Sequence, residues 1–248
     1  MSDTILRPGI ALGPYPERLE RRPGVLDRIA ARATGFVTQR RGIGAGRLDR
    51  VTGAVDAHAG RLRRAGDEGL HEEVRELRVR LRTRGLRDDL VAHAFALVRE
   101  CADRALGMRH HDAQLAGGWA MIHGMLAEME TGEGKTLTAT LPACTAALAG
   151  IPVHVITVND YLVTRDVEWM SPVYRMLGIS TGAITEALDA PARRAAYACD
   201  VTYCSNKQIA FDYLKDRIVL GNSPGRLRLE LEHIYSDDPR LERLLLRG

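Results

Sequence analysis

Five consecutive residues, Gly132-Glu133-Gly134-Lys135-Thr136, combine the groups that hold a polyphosphate. Two glycines let backbone N–H groups approach phosphate oxygens with no Cβ in the way. Lys135 supplies a point charge for the outer phosphates, and the Thr136 hydroxyl can ligate Mg²⁺. A helix opening at this point aims its N-terminal amides and the positive end of its dipole at the same anion. Met129 stands five places before Gly134, where the strict form of the loop has a glycine.

The flanks supply the elements that such a loop needs. Met125–Met129 is a short apolar stretch that predicts a strand, and Lys135–Ala149 predicts an alanine-rich helix. The spelling from Thr131 to Thr136, Thr-Gly-Glu-Gly-Lys-Thr, points to the helicase-like branch of nucleotide-driven motors. After Ala149 the alternation continues with strand Val153–Val158, helix Leu162–Met176, strand Thr181–Ile184, helix Ala190–Ala198, strand Asp200–Tyr203 and helix Asn206–Ile218. Short strands separated by helices predict a parallel sheet covered on both faces. Ligands then sit at the carboxyl ends of the strands, where Gly132–Thr136 and Asn159–Asp160 both fall, with Asp160 expected to cap the helix that follows.

Upstream, Met1–Gly24 is rich in Pro, Gly and Arg without periodicity and reads as mobile; Leu26–Arg50 adds glycines and no clear pattern. From Val51 to Arg84 the pattern is helical, with Leu70, Val74, Leu77 and Leu81 at three- and four-residue steps. Gly85 ends that helix. Asp88 and Asp89 open another, with Leu90, Ala94, Leu97, Val98 and Cys101 on one face. A helical pair therefore precedes the loop. Gly221–Gly248 reads as a turn followed by a surface helix. The domain reading is a basic segment 1–50, a helical segment 51–106 and a nucleotide-binding domain 107–248.

The chain has 248 residues and a net charge of +3, unevenly spread. Residues 1–100 hold 20 Arg against 14 Asp and Glu, a balance of +6; the remainder holds 15 basic against 18 acidic residues, −3. A basic N-terminal part suits an anionic partner such as a membrane surface or nucleic acid, or simply forms a solvated helical face. Cys101, Cys144, Cys199 and Cys204 lack zinc-ligand spacing and read as free thiols of a reducing compartment. His110 and His111 have no partners at metal-ligand spacing. No basic-then-apolar signal segment opens the chain. Leu137–Val158 is uncharged and long enough to suggest a membrane span, but Pro142, Gly150 and Pro152 break it and it reads as core.

Four motifs resemble SecA, the ATPase motor family of bacterial protein export. They are Gly-Met-Arg-His-x-Asp-x-Gln at Gly107–Gln114, Thr-Gly-Glu-Gly-Lys-Thr at Thr131–Thr136, the run from Val158-Asn159-Asp160-Tyr161-Leu162 to Met170, and Phe-Asp-Tyr-Leu at Phe211–Leu214. The similarity runs from roughly Asp88 to Asp216. It implies an α/β fold: a RecA-like parallel sheet of the helicase-like motor core, incomplete here, preceded by a helical segment. It implies ATP and Mg²⁺ as ligands. Gln114 would contact adenine, Thr131, Gly132, Glu133, Gly134, Lys135 and Thr136 the phosphates, Thr136 the metal, and Arg165 would lie near the pocket. A Gln amide suits adenine because it donates and accepts at once.

The resemblance further implies translocation of preproteins through the Sec membrane channel by a cytoplasmic protein held at the inner face of the membrane. Its partners would be that channel, preproteins, the anionic membrane surface and, in some arrangements, a second copy, but no nucleic acid. Several positions depart from the family pattern: His111 replaces an aromatic residue, Glu130 a Lys, and Cys204-Ser205-Asn206-Lys207-Gln208 replaces Gly-Thr-Asn-Asn-Glu. Hydrolysis in this motor class needs an Asp-Glu pair at the end of a later strand, and no Asp-Glu-x-Asp follows Thr136. The expectation is therefore a chain without catalytic residues of its own, truncated before that strand, whose neighbours would expose unpaired edges, leaving the fragment prone to aggregate or to bind ATP weakly. Two other readings are a non-hydrolysing nucleotide-binding module and a nucleic-acid helicase fragment. Against the latter, no basic-aromatic platform for bases is present.

Overall fold

The structure, a computed structural model, describes residues 45–220 and 245–246. The expectations for residues 1–44 and 221–244 lie outside the described residues. The described elements are α1 (Ala45–Arg64), α2 (Asp67–Arg84), α3 (Asp88–Leu106), α4 (Asp112–Ile122), α5 (Lys135–Leu148), β1 (Val153–Thr157), α6 (Asp160–Met176), β2 (Thr181–Ile184), α7 (Ala190–Tyr197), β3 (Val201–Ser205) and α8 (Asn206–Leu220).

The helical pattern expected from Val51 to Arg84 is two helices, and the first begins earlier, at Ala45. Arg104 of α3 stabilises the break between them. Its guanidinium donates to the Leu62 carbonyl (3.0 Å), the Ala65 carbonyl (2.7 Å), Asp67 (3.1 Å) and Glu100 (2.9 Å). The end of α1 thus finds partners for its last carbonyls, which a helix terminus lacks internally. Leu70, Val74, Leu77 and Leu81 of α2 are buried as their spacing predicts, and Gly85 closes that helix. In α3 the burial is wider than one face: Val91, Ala92, Phe95, Ala96 and Ala102 are buried as well. The cause is its central position, with α1, α2, α5 and α6 packed around it.

Sequence patterning did not predict α4, because Gly117-Gly118 reads as a break. The helix forms because those glycines face a neighbour. A Cβ on Gly118 would lie 2.9 Å from both Cβ and Cδ1 of Leu141, so only glycine lets α4 come this close to α5. Leu115 and Trp119 are buried. Helix α5 in turn runs through Pro142 rather than breaking there; the apolar run ends at Gly150 and Pro152, ahead of β1.

The sheet has order β1-β3-β2, all parallel, with Val153 and Thr181 both opposite Val201. β3, the central strand, is buried at every residue, as a strand flanked on both sides must be. The expected strand Met125–Met129 does not form: residues 125–130 carry no ladder, and Leu126 is 94% exposed. A strand persists only where a neighbour takes up its backbone groups, and among the described residues no strand pairs with this stretch. The outer edge of β1 is likewise unpaired among the described residues. No helix among them is long and apolar enough to cross a membrane. Cys101, Cys144 and Cys204 are buried free thiols and Cys199 is partly exposed.

On the β2 side, α7 and α8 are joined by a buried polar network that no spacing rule indicated. Arg193, 6% exposed, donates to Asp212 (2.9 Å) and Gln208 (2.8 Å), and to the carbonyls of Thr185 (2.9 Å) and Leu188 (3.0 Å). The Tyr197 hydroxyl donates to the same Asp212 carboxylate at 3.0 Å. Removing one partner strands a buried charge. Asp212→Ala should therefore lower stability by about 3–5 kcal/mol, and Asp212→Asn by less, because the amide oxygen still accepts from Arg193. Urea denaturation followed by circular dichroism reads both, and equal losses for the two variants would contradict the charge argument.

Candidate nucleotide-binding site

Residues 129–136 form a turn that leads straight into α5. Gly132 and Gly134 have φ of +94° and +79°, a region open to glycine and costly for other residues. Gly134 is the N-cap of α5, with no side-chain cap and no acidic residue in the first turn. The N–H groups that open this helix thus have neither a capping side chain nor a carboxylate competing for them. Lys135 projects back over the loop, its ammonium donating to the Glu130 carbonyl at 2.7 Å. The Glu133 carboxylate accepts from the Glu130 amide at 2.8 Å. Thr131 is exposed and Thr136 half-buried at the loop's end. This donor set fits a polyphosphate, which would compete with the Glu130 carbonyl for Lys135.

Gln114 is the structural partner of this loop. It lies in the first turn of α4, 6% exposed. Its Oε1 accepts from the His111 amide at 2.9 Å, and its Nε2 donates to the Glu133 carbonyl at 2.8 Å. These two bonds fix which end of the carboxamide is which, leaving one N–H and one lone pair uncommitted. The contact is tight: a Cβ on Gly134 would lie 2.4 Å from Gln114 Nε2. The Gly107–Gln114 motif thus clamps the phosphate loop.

His110 is the second clamp. Fully buried, it places Nε2 3.0 Å from the Leu137 carbonyl and 3.3 Å from Thr140 Oγ1 in the first turns of α5. A carbonyl only accepts, so the proton sits on Nε2, and Nδ1 is buried without a partner. Burial depresses its pKa to about 4, against a smaller opposing effect of the Leu137 hydrogen bond. Among the described residues no group of His, Cys, Asp or Glu could hold a metal ion. A buried histidine two residues before a helix start carries no sequence signal for this role.

The residues at the end of β1 are occupied differently from expectation. The cap of α6 is Asn159, whose side chain accepts from the Leu162 amide at 2.9 Å; Asp160 is inside the helix. Asp160 instead ties together three segments at the carboxyl end of the sheet. It accepts from Ser205 Oγ (2.9 Å) at the end of β3 and from the Glu186 amide (2.6 Å) after β2. The capping role falls to Asn159 because its backbone is extended there while Asp160 has already turned helical. Arg165, one turn on, binds Asp166 Oδ1 through Nε (3.0 Å) and Nη2 (2.6 Å). It makes no hydrogen bond or ion pair with residues 129–136.

Two outcomes follow from this geometry. Gly134→Ala meets both a positive φ and Gln114 Nε2 at 2.4 Å; it should displace Gln114 and lower stability by about 1–3 kcal/mol, measured as a drop in melting temperature. An unchanged melting temperature would contradict the clamp. For His110, the folded pKa of about 4 lies below the ordinary 6.5. Its stabilising share is complete above pH 6.5 and lost as pH falls towards 4, because the unfolded chain takes up the proton first. Between pH 7 and pH 5 this amounts to about 2 kcal/mol, and His110→Gln should flatten that part of the stability–pH profile.

A family model described as the SecA DEAD-like domain matches residues 34–233. The chain is 46% identical over 235 residues, 94% of its length, to the protein translocase subunit SecA 2 of Bordetella avium (strain 197N), of which it covers 36%. It is 56% identical over 154 residues, 62% of its length, to the protein translocase subunit SecA 3 of Magnetococcus marinus (strain ATCC BAA-1437 / JCM 17883 / MC-1), covering 23% of it. With the protein translocase subunit SecA of Syntrophomonas wolfei subsp. wolfei (strain DSM 2245B / Goettingen) it shares 44% over 192 residues, 77% of this chain and 23% of that protein. The chain thus spans little more than a third, or less, of the length of these curated relatives. A phosphate loop clamped by the Gly107–Gln114 motif, together with a family match over most of the chain, places this protein in the SecA DEAD-like domain family.

Proposed function

We propose that these residues form the ATP-binding part of a SecA-type motor, which couples ATP hydrolysis to the passage of preproteins across the cytoplasmic membrane through the Sec channel. The observation that carries the reading is the pinned Gln114 carboxamide beside the phosphate loop. Its remaining acceptor suits the adenine N6 amino group and its remaining donor suits N7. Guanine presents acceptors at both equivalent places and would leave one group of Gln114 unmatched.

In this reading the backbone of Gly132–Thr136 and the Lys135 ammonium hold the phosphates, and the Thr136 hydroxyl holds Mg²⁺. The metal would neutralise charge on the phosphate oxygens. Thr131 and Glu133 shape the loop. Arg165 joins the pocket only by leaving Asp166. Glu130 keeps the approach less positive than a lysine would and weakens the pull on the phosphates. The acting protein would be cytoplasmic and peripheral to the inner membrane face. Its partners would be the Sec channel, preproteins and the anionic membrane surface, with self-association into a dimer and no nucleic acid.

Fluorescent ATP and GTP analogues, titrated with and without Mg²⁺ against the purified chain, test this. ATP should bind, with Lys135→Ala weakening it at least tenfold. Gln114→Glu should erase the preference for adenine, since a carboxylate cannot donate to N7 and faces the Glu133 carbonyl. Turnover should stay at background, because Mg²⁺ and the attacking water need an acidic pair that these residues do not supply. Binding unaffected by Lys135→Ala, or Lys135-dependent steady turnover by the purified chain, would overturn the corresponding part of the reading.

A further inference from the structure

Helix α8 is built inside out. Its buried positions are polar: Gln208, Asp212 and Asp216, at four-residue steps, are 6%, 0% and 5% exposed. Each is satisfied. Arg193 serves Gln208 and Asp212, and the Asp216 carboxylate accepts the backbone amides of Leu245 (2.8 Å) and Leu246 (2.7 Å). The opposite face is apolar. Phe211, Leu214 and Ile218, at three- and four-residue steps, are 50%, 54% and 81% exposed, and Tyr213 beside them is 54% exposed. Of the motif Phe211-Asp212-Tyr213-Leu214, only Asp212 is used inside the fold.

The exposed charges that α8 itself carries beside this stripe have one sign. Lys207, Lys215 and Arg217 are exposed on α8, while both of its carboxylates are buried. Two of the chain's three lysines stand here. Lys207 lies 3.8 Å from exposed Glu186, and an exposed pair of this kind holds its charges weakly and leaves the lysine free to turn to a new partner; Lys215, 3.4 Å from buried Asp212, keeps its side chain 60% exposed.

We propose that this face of α8 docks an amphipathic helix of a separate protein, whose apolar stripe is flanked by Asp and Glu. Apolar residues at positions i, i+3 and i+7 form the seam into which a second helix lays its own stripe, and the flanking cations call for acidic residues on either side. A second copy of this face is disfavoured, because Lys207, Lys215 and Arg217 would meet their own kind. A membrane surface is disfavoured because the stripe is one residue wide, narrower than the broad apolar face an interfacial helix embeds.

The test places the photo-cross-linker p-benzoylphenylalanine at position 218, and separately at 214, of the full chain in producing cells, and identifies the cross-linked peptide by mass spectrometry. The proposal expects a peptide with apolar residues at helical spacing and acidic flanks. With that partner purified, Lys207→Glu combined with Arg217→Glu should weaken binding at least tenfold, and Glu-to-Lys changes in the partner should restore it. ATP binding and the melting temperature should be unchanged in these variants, which separates this surface from the nucleotide site. Cross-links to lipid, to a second copy or to a segment without acidic flanks would overturn it. So would the absence of product at both positions, or binding indifferent to the charge swap.

Discussion

The close approach of α4 to the phosphate-loop helix is the contact on which the candidate site depends. Gly118 removes the one Cβ that would hold the two helices apart, and Leu141 occupies the space. Gln114, carried on the first turn of α4, then reaches the Glu133 carbonyl, and Gly134 has no side chain to obstruct it. His110, just ahead of that helix, fastens the same pair from the other side through the Leu137 carbonyl. With a larger residue at 118, α4 would move outward and take both clamps with it, because cores at crystal-like density transmit such displacements rather than absorb them. A loop with two residues at positive φ has little intrinsic preference for one shape, so its shape is imposed from outside.

The rest of the described fold places α4 and α5 against each other. Helix α3 is buried around most of its circumference and forms the common wall for α1, α2, α5 and α6. Its Arg104 closes the α1–α2 turn. From α2, Arg78 donates to the carbonyls of Leu177 (3.2 Å) and Gly178 (3.0 Å) at the end of α6. Helical and sheet-bearing parts are therefore joined by arginine-to-carbonyl bonds at helix ends, where the macrodipole favours a cation. Beyond the sheet, Asp160 draws together the start of α6, the segment after β2 and the end of β3, and Arg193 does the same for α7 and α8.

Buried polar groups recur wherever two segments meet out of register with their hydrophobic pattern. Arg193 with Asp212, Tyr174 with Tyr203 (hydroxyls 2.8 Å apart) and Asp216 with the Leu245 and Leu246 amides are each enclosed and each paired. Such pairs contribute little net stability beyond an apolar contact, but they penalise any alternative packing that would leave one of them alone. In α8 this arrangement takes the fully buried positions, beside a partly buried Ile209, and leaves Phe211, Leu214 and Ile218 outside.

Local chemistry was legible in the residues themselves. The phosphate loop, the helical repeat of Leu70, Val74, Leu77 and Leu81, and the alternation of strands and helices after Gly150 depend on spacing along the chain, which the sequence displays directly. The strand at Met125–Met129 was misread because a strand is a relation between two segments, and its pattern cannot show whether a partner lies alongside. Helix α4 was missed because Gly117-Gly118 signals flexibility in isolation and close packing only when Leu141 is opposite. Asp160 as a tie, Arg193 as the partner of Asp212, and the outward apolar face of α8 share that cause: each is set by residues distant in sequence. The sequence by itself determined where the glycine-rich loop, Lys135, Thr136 and the Gln114 carboxamide stand along the chain. Tertiary structure decided which way the Gln114 amide points and what holds the loop, because those depend on distances between helices that no local pattern encodes.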